Sequence, residues 1–332
     1  MVTSTDVARR AGVSQATVSR VLNNPNSVKP GTREKVLRVM EEMNYKPNLI
    51  ARSLVMNHTK TIALLSGTLK NGFFVETIDS MVNLATSRGY KTLVFFEGEK
   101  EITDLLDTIR GNKVDGILLS SMKYDDPLFE ELESWGIPFI QMSRRHRKGG
   151  NYVVLDNILA TCMLTKHILE LGHRRLAFIV GSTNASTFLE RKIGFEKALQ
   201  DAGVKDLKDL IYPIKPITSE VAKTIRKLMN LPEPPTAIIC SSDAMALAAM
   251  DTLLSMGIKV PEEVNLAGMD NIEITSHQAI QLTTIGHQMN SMGELAVDCL
   301  IDLIEEKAEA PLQRVLMPEL IIRKTTTKLM QK

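Results

Sequence analysis

The chain has 332 residues, too many for one small domain and enough for two or three. Its hydrophobic content of 44% is ordinary for a globular protein and excludes a low-complexity or fibrous chain. The net charge of +1 hides an asymmetry: residues 1–60 carry ten basic and four acidic groups, which leaves the remainder net acidic by five. A basic head on a mildly acidic body is the electrostatic footprint of a nucleic-acid binder whose other part takes a different partner. No apolar leader and no long apolar run is present, so a cytoplasmic protein with no membrane partner is expected.

The segment Asp6–Leu22, DVARRAGVSQATVSRVL, reads as a helix, a glycine turn and a second helix. The first helix starts at Thr3 or Ser4, where a hydroxyl satisfies orphan N–H groups and Asp6 favours the positive helix end. Val7, Ala8 and Ala11 share an apolar face, and Gly12 stands where a helix end needs positive φ. Ser14 caps the second helix, which runs to about Leu22. Its face of Val18, Val21 and Leu22 packs inward, and Gln15, Ala16, Ser19 and Arg20 point outward. That outer face is short, flat and hydrogen-bonding, and suits a major groove. Arg20 can fork onto guanine, Gln15 can read adenine, and Ala16 can meet a thymine methyl. Ser14, Thr17 and Ser19 suit phosphate oxygens. Pro30 opens a third helix with Val36, Leu37, Met40 and Met43 as its stripe, closing near Tyr45. After Pro47, Asn48 caps a short helix candidate, Leu49–Val55, which orders only on a partner. Leu54 on it can wedge between base pairs of the minor groove.

The run DVARRAGVSQATVSRVLN, then KPGTREKV, then NYKPNLIARSL, resembles the lactose-repressor (LacI/GalR) family of bacterial transcription regulators, and the similarity extends along essentially the whole chain. The resemblance implies an all-α helix-turn-helix headpiece followed by an α/β periplasmic-binding-protein-like body of two doubly wound subdomains. It implies DNA contacts from Thr3, Ser14, Gln15, Ala16, Thr17, Ser19, Arg20 and Asn23 in the headpiece, and from Asn48, Ala51 and Leu54 in a hinge helix. The expected divisions are residues 1–47 for the DNA-binding domain, 48–58 for the hinge and 59–332 for the effector and dimerisation domain. The body divides into an N-subdomain at about 59–157 and 287–317 and a C-subdomain at about 158–286 and 318–332, with crossings near Asp156–Ile158, Gly286–Gln288 and Pro318.

From Thr61 the pattern itself alternates strand and helix, the signature of parallel sheets with right-handed crossovers. Strands are expected at Thr61–Leu65, Lys91–Phe96, Gly116–Leu119, Phe139–Met142, Leu176–Val180, Ala237–Cys240 and Asn265–Ala267. Helices are expected at Phe74–Ser87, leading up to Gly111, leading up to Trp135, and at Ile158–Leu171, Arg191–Ala202, Ala244–Met256 and Asn290–Glu306. Arg314–Pro318 and Leu320–Arg323 need sheets to join. Trp135 is expected to fill the core. Cys162, Cys240 and Cys299 are odd in number and far apart in apolar sequence, so they read as buried thiols.

Ligands of open α/β sheets sit outside the carboxyl ends of the strands, and between two such sheets they sit in a cleft. Phe73, Phe74, Ser143, Arg144, Asp156, Ser242, Asp243, Asp270 and Asn271 follow strands and are the candidates, with Arg191 at a helix start as a cation able to fork onto hydroxyls or a carboxylate. By resemblance, Arg191 and Asp270 match the family's effector-contacting arginine and aspartate. The effector set is therefore Phe73, Phe74, Ser143, Arg144, Arg191, Ser242 and Asp270. Ser143 and Ser242 stand where other members often carry Asp or Asn, and YPIKPITSE before residue 220 lacks the aromatic common in sugar-responsive members. Arg144, Arg145 and Lys215 make a carboxylated sugar a fitting effector.

The chain carries no G-x-G-x-x-G, P-loop, G-x-S-x-G or zinc motif, so no enzyme, no cofactor and no metal site is expected. A pure solute-binding protein would need no DNA-reading head. The expected function is a homodimeric repressor of a palindromic operator, controlled by a sugar or sugar derivative acting either to release DNA or to hold it. The tail after Arg323 has no leucine heptads to drive tetramers, and the dimer interface is expected on the body because so small a head cannot bury enough area.

Overall fold

A computed structural model describes residues 2–46, 58–96, 102–204, 210–287 and 289–329. The chain divides into two compact units, Met1–Thr59 and Lys60–Lys332.

In the first unit, α1 spans Ser4–Ala11, α2 Gln15–Asn23 and α3 Pro30–Glu42. Thr3 and Asp6 form a reciprocal capping box at the start of α1. Gly12 ends α1 at φ 64, a left-handed conformation that a residue without Cβ adopts at no cost. Ser14 caps α2 through the Thr17 N–H at 3.1 Å. Val7, Ala11, Val18, Val21, Val36, Val39 and Met40 close one small core. Leu37, expected on the α3 stripe, is 48% exposed, and Val39 takes its place. The reason is the helix period: Val36, Val39, Met40 and Met43 fall on one face, whereas Leu37 is rotated off it.

The second unit holds two parallel sheets. The larger has the order β11-β5-β4-β3-β1-β2 and the smaller β7-β6-β8-β9. Its strands are β1 Thr61–Ser66, β2 Lys91–Phe96, β3 Gly116–Leu119, β4 Phe139–Met142, β5 Tyr152–Leu155, β6 Leu176–Val180, β7 Ile211–Pro213, β8 Ala237–Cys240, β9 Asn265–Ala267, β10 Thr284–Gly286, β11 Gln313–Leu316 and β12 Glu319–Ile321. The helices are α4 Gly72–Ser87, α5 Ile102–Gly111, α6 Leu128–Ser134, α7 Asn157–Glu170, α8 Ser186–Asp201, α9 Thr218–Met229, α10 Asp243–Ser255 and α11 Met289–Ile304. The chain leaves the larger sheet after β5, returns to it with α11 and β11, and leaves again into β12. There β12 pairs antiparallel with β10 in a small two-stranded sheet.

The inner strands of both sheets are buried on both faces and are continuous apolar runs, whereas the edge strands β2, β7 and β11 are partly exposed. Side chains alternate between layers: Ile62 and Leu64 of β1 join one core cluster, while Ala63 and Leu65 join another. Likewise Phe178 and Val180 face one side of β6, and Ala177 and Ile179 the other. Cys162, Cys240 and Cys299 are all buried free thiols. Trp135 is only half-buried; the Arg110 guanidinium lies 5.3 Å from its ring. The sequence reading missed β5, β7, α9 and β10.

Helices α7 and α8 pack with their backbones in close approach. A Cβ on Gly194 would stand 2.3 Å from the Ile158 carbonyl oxygen. Alanine in a helix interior ordinarily stabilises by about 1 kcal/mol over glycine. Here the clash reverses that sign, and Gly194→Ala is expected to lose about 1–3 kcal/mol in urea unfolding, the usual cost of an overpacked core. A more stable Gly194→Ala protein would contradict this packing.

Candidate functional site

Two surfaces carry the chemistry, one in each unit. On the first, Gln15, Ala16 and Arg20 are exposed along one side of α2, with Ser14, Thr17 and Ser19 beside them. This face is turned outward because Val18 and Val21 carry the opposite side into the core. Ser14 Oγ and Thr17 Oγ1 lie 2.9 Å apart, and Gln15 donates to Ser4 Oγ at 3.0 Å, which ties the start of α2 to the start of α1. Thr3 is exposed and donates its hydroxyl to Asp6 at 2.7 Å. This bond, before all else, lowers the Asp6 carboxyl pKa. Asn23 is the last residue of α2. Asn48, Ala51 and Leu54 lie outside the described residues.

The second surface is a cavity of about 670 Å³ in the body. Its size falls within the usual range for small-molecule sites, about 300–1,000 Å³. Phe73, Phe74, Ser143, Arg144, Arg191, Ser242 and Asp270 all line it. Arg144 and Ser143 follow β4, Phe73 and Phe74 follow β1, and Asp270 follows β9, as the strand-end rule requires. The Phe73 and Phe74 rings meet edge to face at 5.4 Å. Asp156 and Asn271 do not line this cavity. Asp156 instead caps α7 through the Leu159 N–H at 2.9 Å, and Asn271 accepts from Arg323 at 3.0 Å. Arg145 pairs with Glu190 at 2.7 Å, and Lys215 is absent from the wall.

Lining residues that the sequence reading did not single out include Thr68, Lys70, Asn71, Ser121, Thr187, Phe188, Ile217, Thr218 and Ser219. Most stand just beyond a strand end, so the same rule applied to every strand finds them. Ile217 occupies the stretch where an aromatic had been sought. Helix starts converge here as well, because each helix in a parallel unit begins on the side where its strand ends. Asn71 caps α4 and Ser242 caps α10, whereas α8 and α9 have no side-chain cap.

The cavity floor is a buried charge cluster. Arg191 is 4% exposed and Asp270 is 7% exposed, and they pair at 2.8 Å. Arg191 also donates Nε–H to Asn157 Oδ1 at 2.9 Å and Nη1–H to the Ser241 carbonyl. These bonds use three of its five donors. Asp270 has φ 122, a region foreign to most side chains, and its N–H donates to the Ile285 carbonyl at 2.9 Å. Beneath it Asp243 is fully buried, accepting from Thr284 Oγ1 at 2.6 Å and from the Ile272 N–H at 3.0 Å. Burial raises the Asp270 carboxyl pKa, and Arg191 opposes the rise. Burial, then the Asp270 charge, push the Asp243 carboxyl up to about 7.

A raised carboxyl binds its proton more tightly in the native than in the unfolded chain. Its contribution to stability is therefore full below the unfolded pKa near 4 and is lost as pH rises toward about 7. Asp243→Asn keeps an acceptor for Ile272 and a hydrogen-bonding partner for Thr284 but cannot ionise. The variant should show a flatter urea midpoint across that window than the parent protein. Parallel pH profiles would contradict an Asp243 that ionises within it.

Both units have counterparts among known proteins. Residues 3–48 match the model for bacterial regulatory proteins of the lacI family, and residues 165–326 match a periplasmic binding protein-like domain. An HTH-type transcriptional repressor PurR of Aliivibrio salmonicida is 32% identical over 99% of this chain and 100% of its own. One from Shigella dysenteriae is 33% identical over 98% and 97%. The lac repressor dimer bound to operator and the anti-inducer ONPF superposes with a TM-score of 0.87 at 25% identity, covering 98% of this chain and 99% of its own. The CelR–cellobiose complex gives 0.74 at 30% identity, covering 98% and 100%. A helix-turn-helix unit followed by a periplasmic-binding-protein-like body defines a DNA-binding regulator that takes a small-molecule effector. The chain belongs to the lacI family and is a DNA-binding transcriptional repressor. No helix among the described residues is long and apolar enough to cross a membrane, and no cluster there has the makings of a metal site.

Proposed function

We propose that two copies of this chain bind a palindromic operator, and that a sugar or sugar derivative in the body cavity sets their affinity for it. In this reading residues 1–47 read DNA, 48–58 form the hinge and 59–332 bind effector and dimerise. The observation that carries the DNA half is the exposed hydrogen-bonding side of α2, fixed at its start by Ser14 and held from behind by Val18 and Val21. A single such helix reads only a few base pairs, so a two-fold pair on a palindrome supplies the remaining specificity. The effector half rests on the seven residues Phe73, Phe74, Ser143, Arg144, Arg191, Ser242 and Asp270 sharing one cavity. Aromatic rings beside hydroxyls and a fixed Arg–Asp pair suit a polyol, and the related CelR structure is a complex with cellobiose.

Selection of the full chain on a random duplex pool, followed by sequencing, tests the DNA half. A palindrome with a central pyrimidine–purine step is expected. Arg20→Ala should then weaken binding by about 1–3 kcal/mol and relax one base position in each half-site. Leu54→Ala should erase the preference at the centre. Recovery of no sequence, or an unchanged palindrome from Arg20→Ala, would contradict the assignment.

A further inference from the structure

Two loops from the half built on the larger sheet meet the stretch Asn184–Glu190 at the start of α8. After β3, the Tyr124 N–H donates to the Asn184 carbonyl at 2.6 Å. After β4, the Arg145 N–H donates to Ser186 Oγ at 2.8 Å, and the Ser143 carbonyl accepts from the Thr187 hydroxyl. Ser143 and Thr187 both line the cavity, so these contacts join its two lips. An ion pair reinforces them: Arg145 donates Nε–H to Glu190 Oε1 at 2.8 Å, and its Nη2 lies 2.7 Å from the same oxygen. Glu190 directly precedes Arg191 on α8 and is only 9% exposed. The second Glu190 oxygen serves a different partner. Asn157 donates Nδ2–H to Oε2 at 3.4 Å and to the Leu155 carbonyl at 3.1 Å. An amide whose nitrogen is held by two acceptors turns its oxygen the other way. That oxygen, Oδ1, takes the Nε–H of Arg191 at 2.9 Å, and Arg191 pairs with Asp270 on the cavity floor.

Resting on the cavity reading above, we infer that Glu190 is a positioning residue of the effector site: with Arg145 it clasps the two lips, and through Asn157 it orients Arg191. Closure of the lips and alignment of the floor are then one event, because one carboxylate serves both. Glutamine at this position keeps an acceptor for Asn157 but gives up the charge that holds Arg145. Leucine gives up both. The two roles can therefore be separated by substitution at a single site.

Two readouts on the full chain, with no ligand added, test them. Hydrogen exchange of the peptides that hold Tyr124 and Arg145, followed by mass spectrometry, reports the lips. The side-chain Nε–H resonance of Arg191, assigned by its loss in Arg191→Lys, reports the floor. Arg145→Gln and Glu190→Gln should each speed exchange in both peptides about two- to fivefold, the loss expected of a partly exposed ion pair. The double variant should be no faster than either single one, since both break the same bond. Lys166→Gln, which breaks a 3.3 Å pair with Asp201 between α7 and α8, should leave this exchange unchanged. The Arg191 resonance should keep its chemical shift in both glutamine variants and move in Glu190→Leu. Glu190→Ala, which adds no bulk, is the second variant of that kind. Additive effects of the two glutamine variants, or unchanged exchange in either, would overturn the clasp. An Arg191 resonance absent from the parent protein, or indifferent to the loss of the Glu190 acceptor, would overturn the positioning role. Affinity for the selected palindrome keeps this inference apart from the reading it rests on. It should change in Arg145→Gln. If lips and floor respond as stated while affinity is the same in every variant, the role of Glu190 stands and control of DNA by the cavity falls.

Discussion

The buried pair of Arg191 and Asp270 is the constraint on which the body depends. Two charges so deeply enclosed are costly unless each meets its partner and its remaining hydrogen bonds. The chain satisfies them with groups drawn from separate segments. Asn157, at the first passage between sheets, holds the Nε of Arg191. Ser241, after β8, takes Nη1. The Asp270 backbone is bound to β10 through Ile285, and Asp243 beneath it reaches Thr284 of the same strand. Two of the passages between the sheets are thereby fastened to one ion pair. A ligand that touches Arg191 or Asp270 touches the elements about which the two halves of the body would turn.

The geometry of the cavity follows from topology and needs no special device. Parallel strands ending on one side place every following helix start on that side as well. Caps at Asn71 and Ser242 satisfy two of those starts internally. The starts of α8 and α9 have no such cap, and the hydroxyls of Thr187, Thr218 and Ser219 stand beside them. The wall is therefore polar where a ligand arrives and apolar behind, where Phe73 is buried and Met245 closes the C-terminal side. The reading helix in the other unit obeys the same economy: one face is spent on a small core, and the opposite face stays exposed.

Much of this was legible in the residues. Long apolar runs such as Leu176–Val180 and Gly116–Leu119 can only be buried strands, and their observed limits coincide with the expected ones. Thr3, Asp6, Gly12 and Ser14 are local signals whose meaning does not depend on the rest of the fold. Two short strands, β7 and β10, were missed, with three residues each, whereas β9, equally short, stands at its expected limits. Helix α9 does carry helical spacing in Val221, Ile225 and Leu228, but Pro213 and Pro216 before it read as loop. Among site residues, Arg144 was visible because it directly follows a strand. Lys70 was not, because sequence alone does not show which of several loop cations turns toward a cavity. The same limit applies to Arg145, whose partner Glu190 lies far along the chain. Asp243 was seen as a strand-end candidate, yet its burial beneath Asp270 is a tertiary fact.

On the proposed function, the cavity governs DNA binding. The most direct measurement is the affinity of the full chain for a fluorescent duplex bearing its selected palindrome, with and without the small-molecule fraction of a bacterial extract. It is made on the parent protein and on Asp270→Asn, which retains an acceptor for Arg191. A coupled cavity predicts a change of about 5–150-fold, the usual range for linked sites, in the parent protein. In Asp270→Asn the response to extract should be lost, relative to that variant's own affinity without extract. An equal response in both proteins, or none in either, would contradict the claim.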